Sequence, residues 1–257
     1  MATAVIQVRM SSRRLPGKAL LPLGHLTSLE VMVERVRSSN SVDSLWLATS
    51  DDSSDNPLES LAHDMGVKVF RGDLEDVLSR FVSIAEISPA EDDLWIRLTG
   101  DCPLVCPEII DMTVESIRGK PAEYVSNSIE PSFPKGLDVE VFKTSALLKA
   151  GRFATSKFDR EHVTTWMIRN LEHPTSFPRL APPRSDFRLT IDHHEDYEVV
   201  RAVFEALTRD SILFDCQEIL RFLESYPDIA SINQMHNQTQ ISDRIDPSSQ
   251  QVEGVVI

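Results

Sequence analysis

Residues 5–24 read VIQVRMSSRRLPGKALLPLG. Val5, Ile6 and Val8 make a short apolar run of strand type that passes directly into a loop of Ser, Arg and Gly. Arg9, Arg13, Arg14 and Lys18 crowd together there, and no Asp or Glu precedes Glu30. The whole chain is acidic: 40 Asp and Glu against 26 Lys and Arg give a formal net charge of -14. A basic island in such a protein points to a local anion site, where backbone N–H groups and guanidinium forks can hold a polyphosphate. Two plainer readings compete. Mitochondrial transit peptides are also Arg-rich and acid-poor, but they are amphipathic helices, and Leu15-Pro16-Gly17 breaks a helix where the charge lies. The other is a solvated basic loop, the usual fate of a charge run.

Outward from this loop the apolar periodicity alternates. Ala4 to Val8, Leu45 to Ala48, Val67 to Phe70 and Leu94 to Leu98 are short β-type runs. Between them Leu29, Met32, Val33 and Val36 fit one helical face, and helical patterns follow at Pro57 to Met65 and Leu74 to Ile87, with Gly66 as a stop. Strand and helix in alternation predict right-handed βαβ units, hence an α/β fold with a mainly parallel sheet and flanking helices. Ligands of such sheets lie at the carboxyl ends of the strands. Three loops there draw attention: the basic one, Thr49-Ser50-Asp51-Asp52, and Thr99-Gly100-Asp101-Cys102-Pro103. A fourth candidate is Phe187 to Ile191, which alternates like a strand and ends at Asp192, before His193-His194-Glu195-Asp196 and a further helix.

Residues 120–180 depart from the alternation. A turn with Pro131, Pro134 and Gly136 precedes an extended run from Leu137 to Phe142, and Ser145 to Ile168 is mostly helical. This segment is expected to be a small inserted lobe for the acceptor or for a subunit contact, within a domain covering residues 1–236. An amphipathic helix is expected near Cys216, Ile219, Leu220 and Leu223. Residues 237–257 are polar and poorly patterned, as in a disordered tail.

At 257 residues the chain can bury a full core. No apolar run approaches the ~20 residues that span a bilayer, so a cytoplasmic protein with no membrane association is expected. Three cysteines are too few, and odd in number, for a disulfide framework. Nonspecific nucleic-acid binding needs a broad basic surface, which this composition does not offer. His193 and His194 lack an HxxxH or HxH partner, which favours solvated imidazoles over a transition-metal site. Cys102 and Cys106 read as small buried apolar residues.

The basic N-terminal stretch resembles the signature of the cytidylyltransferases that activate sugar acids, the acylneuraminate and 3-deoxy-manno-octulosonate enzymes. LATSDDSSDNPLE, VFRGDLEDVLSRF, RLTGDCPLVCPEIID, YVSN, FPKGLDVEVF, REHVT and LTIDHHEDYEVVRAVFEAL narrow the likeness. As an ordered set over about residues 3–235 they are similar to the spore-coat-polysaccharide cytidylyltransferase-like family. The resemblance implies a glycosyltransferase-A-like nucleotide-binding fold, a nucleoside triphosphate donor with CTP foremost, and a divalent metal, Mg2+. It also implies a homodimer paired through residues 120–180.

Carried over residue by residue, the resemblance places Arg9, Arg13 and Lys18 at triphosphate-binding positions, with Ser11 and Ser12 in the same loop. Arg14 competes with Arg13 for one of those positions, because Ser-Ser-Arg-Arg stands where Gly-Ser-Thr-Arg is more usual; the register that makes Arg14 the phosphate ligand is favoured. Thr49, Ser50, Asp51, Arg97, Thr99 and Gly100 complete the candidate nucleotide site. Asp101 and Asp192 match metal-binding positions, consistent with the one or two carboxylates that Mg2+ takes beside phosphate oxygens and water. Helix N-caps are the plainer alternative for both. Asp138 and Glu140 share one side of a strand; with Asn127, Arg160, Glu161 and His162 they are candidate acceptor-binding residues, a solvated surface being the alternative.

These residues imply a Mg2+-dependent transfer of a nucleotidyl group to a sugar or sugar-acid acceptor with release of pyrophosphate, in surface polysaccharide or glycan biosynthesis. Arg14, Lys18, Asp101 and Asp192 are the residues expected to carry catalysis. Three alternatives stay open on sequence: a guanylyltransferase acting on an amino-sugar phosphate, a glycosyltransferase of the same fold, and a noncatalytic nucleotide-binding subunit.

Overall fold

Strand β1 (Ala2–Gln7) carries the first apolar run, and all of it except Gln7 is buried. Its residues alternate between two cores: Ala4 and Ile6 pack on one side of the sheet and Val5 on the other. That two-sided burial is the mark of a central parallel strand covered by helices on both faces. The computed structural model describes residues 1–88, 93–172, 174–208 and 211–236, so the tail expected from 237 lies outside the described residues.

After β1 come a two-strand hairpin, β2 (Pro22–Leu23) and β3 (Leu26–Thr27), and helix α1 (Ser28–Arg37). Glu30, the first acidic residue, completes a capping box with Thr27 at the start of α1, which satisfies two otherwise orphaned N–H groups. The chain continues through β4 (Ser44–Ser50), α2 (Asn56–Asp64), β5 (Lys68–Gly72), α3 (Val77–Ile87), β6 (Leu94–Thr99) and α4 (Pro107–Ile117). These agree with the alternation read from the sequence to within a few residues. Next are β7 (Tyr124–Ser126), β8 (Glu140–Lys143), α5 (Thr144–Phe153), α6 (Lys157–His162), α7 (Thr165–Asn170) and β9 (Thr175–Ser176). Helices α8 (His194–Leu207), α9 (Cys216–Ser225) and α10 (Pro227–Ala230) follow.

Seven strands form one sheet in the order β5-β4-β1-β6-β8-β7-β9. The first four are mutually parallel, and β8 alone among them runs against its neighbours β6 and β7. Residues 120–180 thus contribute β7, β8 and β9 to the common sheet. One face of the sheet is covered by apolar residues such as Val33, Ile109, Val200 and Ile219. The other carries Phe81, Trp95, Tyr124, Phe142 and Leu147. Trp95 is 1% exposed and its indole N–H donates to Thr144 Oγ1 at 2.9 Å, so the largest side chain of this core keeps its polar atom satisfied.

Two expectations for the strands need correction. The run from Leu137 forms a strand only from Glu140 onward, because Asn127 occupies the preceding backbone groups: its Nδ2 donates to Leu137 O and its Oδ1 accepts from Val139 N, both at 2.8 Å. Phe187 to Ile191 is an extended strap rather than a sheet strand, joined to the fold by an isolated bridge between Lys135 and Arg188.

Candidate active site

The basic loop leaves β1 at the carboxyl edge of the sheet and is held by the backbone of one residue, Met10. Met10 O accepts from Ser12 N at 2.9 Å and from Gly17 N at 3.0 Å, while Met10 N donates to Asp55 Oδ1 at 2.7 Å. The other oxygen of Asp55 accepts from Thr49 Oγ1, Ser50 N and Ser50 Oγ. Burial works to raise the Asp55 pKa, but these hydrogen bonds hold it below the usual carboxylate range. This corrects the reading of the second loop. Thr49 and Ser50 are buried and face Asp55; Asp51 is exposed; and Thr49, Ser50 and Asp51 do not line the cleft. Thr49 and Ser50 anchor the basic loop through Asp55, and Asp55 was not among the expected site residues.

Asp101 and Asp192 meet at one cation. Lys18 Nζ donates to Asp101 Oδ2 and to Asp192 Oδ1, each at 2.9 Å. Arg14 lies 3.1 Å from the same Asp192 oxygen, and Arg188 Nη2 donates to Asp192 Oδ2 at 2.9 Å. Burial pushes both carboxyls upward, but Lys18, helped by Thr99 at Asp101 and by Arg14 and Arg188 at Asp192, keeps both below the usual range, Asp192 well below it. Lys18 is raised above its ordinary value: burial lowers it and the two carboxylates more than offset that. Neither aspartate caps a helix. The residue preceding α4 is Cys106, and the one preceding α8 is His193.

The backbone explains how residues so distant in sequence converge. Ile191 N donates to Asp101 O at 2.7 Å, and Leu189 N donates to Lys135 O at 2.6 Å. Below the strap, the fully buried Asp196 accepts from Asp192 N, His193 N, both Arg188 Nε and Nη2, and Asn233 Nδ2. Behind Asp101, the buried Arg35 donates to the carbonyls of Val105, Ile212 and Phe214 at 2.6–2.9 Å. These guanidinium and carboxylate clamps, Arg35, Arg188 and Asp196, were missed on sequence; the paired spacing of Arg188, Asp192 and Asp196 was the available signal.

The surrounding cleft encloses about 890 Å³, within the range of small-molecule sites. Arg9, Ser11, Ser12, Arg13, Arg14 and Lys18 line it, as do Arg97, Thr99, Gly100, Asp101 and Asp192. Of the acceptor candidates, Asp138, Glu140, Glu161 and His162 line it and Asn127 and Arg160 do not. Asn127 serves the backbone as described. Arg160 donates to Asp76 Oδ2 at 2.6 Å and to Ala154 O at 3.1 Å, tying α6 to the start of α3. Asp138 and Glu140 face the cleft while Leu137, Val139 and Val141 are fully buried opposite. Glu140 is nevertheless engaged: it accepts from Tyr124 Oη at 2.7 Å and Thr164 Oγ1 at 2.6 Å, and it pairs with Arg97. Arg97 Nε in turn donates to Gln7 Oε1 at 2.9 Å. Glu161 lies 3.8 Å from Arg9 across the cleft.

No group of three or more His, Cys, Asp or Glu side chains is placed to hold a metal ion among the described residues. His193 stacks on His236 with ring centres 3.7 Å apart. The three cysteines are buried, and burial pushes the Cys102 and Cys106 thiols well above their ordinary value, as expected of apolar filler rather than nucleophiles. No helix among the described residues is long and apolar enough to cross a membrane.

A family model for cytidylyltransferases matches residues 3–243. The chain belongs to that family. This cytidylyltransferase-family enzyme is 38% identical over 241 residues to the spore coat polysaccharide biosynthesis protein SpsF of Bacillus subtilis, covering 88% of this chain and 95% of SpsF. It is 37% identical to protein MJ1063 of Methanocaldococcus jannaschii, covering 89% and 93% of the two chains. Among solved structures, a cytidylyltransferase from Leptospira borgpetersenii superposes with a TM-score of 0.84 at 30% identity, over 93% of this chain and 99% of that one. A CMP:2-keto-3-deoxy-manno-octonic acid synthetase solved with CTP shares the nucleotidyltransferase fold, with a TM-score of 0.60 at 20% identity. It covers 80% of this chain and 98% of the synthetase.

Proposed function

We propose that the protein transfers CMP from CTP to a sugar or sugar-acid acceptor, releasing pyrophosphate, in glycan or surface polysaccharide biosynthesis. The observation that carries this reading is the convergence of Asp101, Asp192 and Lys18 beneath a loop bearing Arg9, Arg13 and Arg14. In the reaction the acceptor oxygen bonds to the α-phosphorus as the bond from that phosphorus to the β-bridging oxygen breaks, and pyrophosphate leaves with that oxygen. A sugar phosphate arrives already ionised; a hydroxyl acceptor must also give up its proton. Alignment and charge neutralisation supply most of the rate. Arg9, Arg14 and Lys18 hold the leaving phosphates, and Asp138, Glu161 and His162 face the acceptor.

The site suits a divalent cation of the Mg2+ class. Two carboxylates already share one positive charge, the Lys18 ammonium, at 2.9 Å each. With no third protein ligand grouped there among the described residues, the shell must be completed by phosphate and water, which is how Mg2+ is usually held. Asp101 and Asp192 would hold it, and it would supply charge neutralisation at the phosphates. A pair of chains joined through residues 120–180 belongs to the same proposal; exposed Leu148 and Phe153 on α5 support it.

Titration calorimetry with CTP and Mg2+ tests the phosphate loop. Lys18→Ala and Arg14→Ala are each expected to weaken CTP binding about tenfold to a hundredfold, from the loss of a charged hydrogen bond. Unchanged affinity in both would remove the loop from the mechanism.

A further inference from the structure

Among the described residues Val163 is the one residue other than glycine with a positive φ. Its φ of 63° and ψ of −60° belong to the tight γ-turn, which is rare and strained, and a β-branched side chain makes that conformation costlier still. Thr164 N donates to His162 O at 2.7 Å and closes the turn. Helix α6 ends at this point and α7 begins two residues later, at Thr165.

The turn decides which side chains reach the cleft. In an unbroken helix residues two apart point to nearly opposite sides, so His162 and Thr164 could not share one wall. Here both line the cleft, with Glu161 and Thr165, while Val163 is fully buried in the apolar core that holds Phe81 and Leu147. Strained backbone persists only where its surroundings over-determine it, and it gathers at functional sites. Two buried carboxylates supply that constraint. Asp159 on α6 accepts from Thr165 Oγ1 at 2.7 Å and from Ser156 Oγ at 2.6 Å, and it pairs with Arg169 on α7. Glu140 Oε1 accepts from Thr164 Oγ1 at 2.6 Å. Asp159 does not line the cleft, so its bonds clamp the turn rather than meet a ligand.

We propose that Val163 is a positioning residue for the acceptor: its strained turn, held by the Asp159 clamp, sets His162 and Thr164 against the acceptor before it binds. The inference rests on the nucleotidyltransferase reading above. A preset wall acts on the transfer step, where a misplacement of about 1 Å can cost about a hundredfold in rate, whereas CTP binding belongs to the basic loop.

Asp159→Ala, Val163→Gly and the double variant test this by pyrophosphate release from CTP in Mg2+ against a panel of sugar acids and sugar phosphates. Calorimetry with CTP and thermal melts accompany the kinetics. Asp159→Ala is expected to lower kcat/KM for the acceptor about tenfold to a hundredfold, with CTP affinity unchanged. Glycine takes a positive φ without steric cost, so adding Val163→Gly to Asp159→Ala is expected to recover most of that loss. A role in stability alone would make the second substitution worse, because it also empties a core position. Thr165→Val cuts one bond of the clamp and keeps the buried carboxylate, and it repeats the comparison in a milder background. Wild-type kcat/KM in both Asp159→Ala and Thr165→Val would overturn the proposal. A loss that Val163→Gly deepens or leaves unchanged would overturn it as well, and so would an equal loss in CTP affinity. Wild type that binds CTP but releases no pyrophosphate with any acceptor would instead defeat the underlying function.

Discussion

Asp101→Asn and Asp192→Asn are each expected to lower turnover about 1,000-fold, the effect of removing several kcal/mol of charge stabilisation at roughly 1.4 kcal/mol per factor of ten. The folded state should survive. Lys18 keeps one carboxylate in either variant, and Arg188 keeps Asp196 when Asp192 is changed. Asn is nearly isosteric but uncharged, so the substitution separates a role in chemistry from a role in folding. Steady-state turnover over a range of Mg2+ and Mn2+ concentrations, alongside thermal melts, makes the comparison. Added metal should restore part of the rate. Near-wild-type turnover at low Mg2+ in either variant would exclude that residue as an essential ligand.

Gly136→Ala should show the largest loss of stability. Gly136 has φ +104°, and a Cβ there would lie 2.5 Å from the backbone of Leu189 and Thr190. Backbone on one side and a left-handed conformation on the other leave no inexpensive escape. Strain and overpacking together should destabilise the fold by about 3 kcal/mol or more, a fall of roughly 10 °C in Tm for a chain of this size. The same strap carries Asp192 and donates from Ile191 to the Asp101 carbonyl, so turnover should fall with it. A melt within about 2 °C of wild type would show that the strap moves aside easily and does not fix the two carboxylates.

The parts of the fold that repeat are legible in the sequence, because a helix or strand buries one face and leaves a period. The first four parallel strands and the helices between them appear that way, and so does the basic loop, where charge breaks sharply with the rest of the chain. Asp101 and Asp192 are legible as residues that follow extended segments. What joins them is not. Arg35 is a buried charge that donates to the backbone carbonyls of Val105, Ile212 and Phe214, and Asp55 takes the Met10 N–H 45 residues before it; a distant backbone partner leaves no mark in composition. Thr49 and Ser50 illustrate the converse. Their position after a strand suggests a ligand, whereas their hydroxyls close on the Asp55 carboxylate six and five residues later. Arg160 reads as part of an acceptor cluster with Glu161 and His162, yet on α6 it turns away from them toward Asp76.

The most direct measurement is pyrophosphate release from each of the four nucleoside triphosphates with Mg2+, against a panel of sugar acids and sugar phosphates, with products resolved by mass. The expected result is release from CTP that depends on one acceptor class and matches, mole for mole, a CMP-linked product. Release from GTP in place of CTP would contradict the cytidylyl assignment. A folded protein that binds CTP and Mg2+ but releases no pyrophosphate with any acceptor would contradict catalysis by the Asp101, Asp192 and Lys18 site.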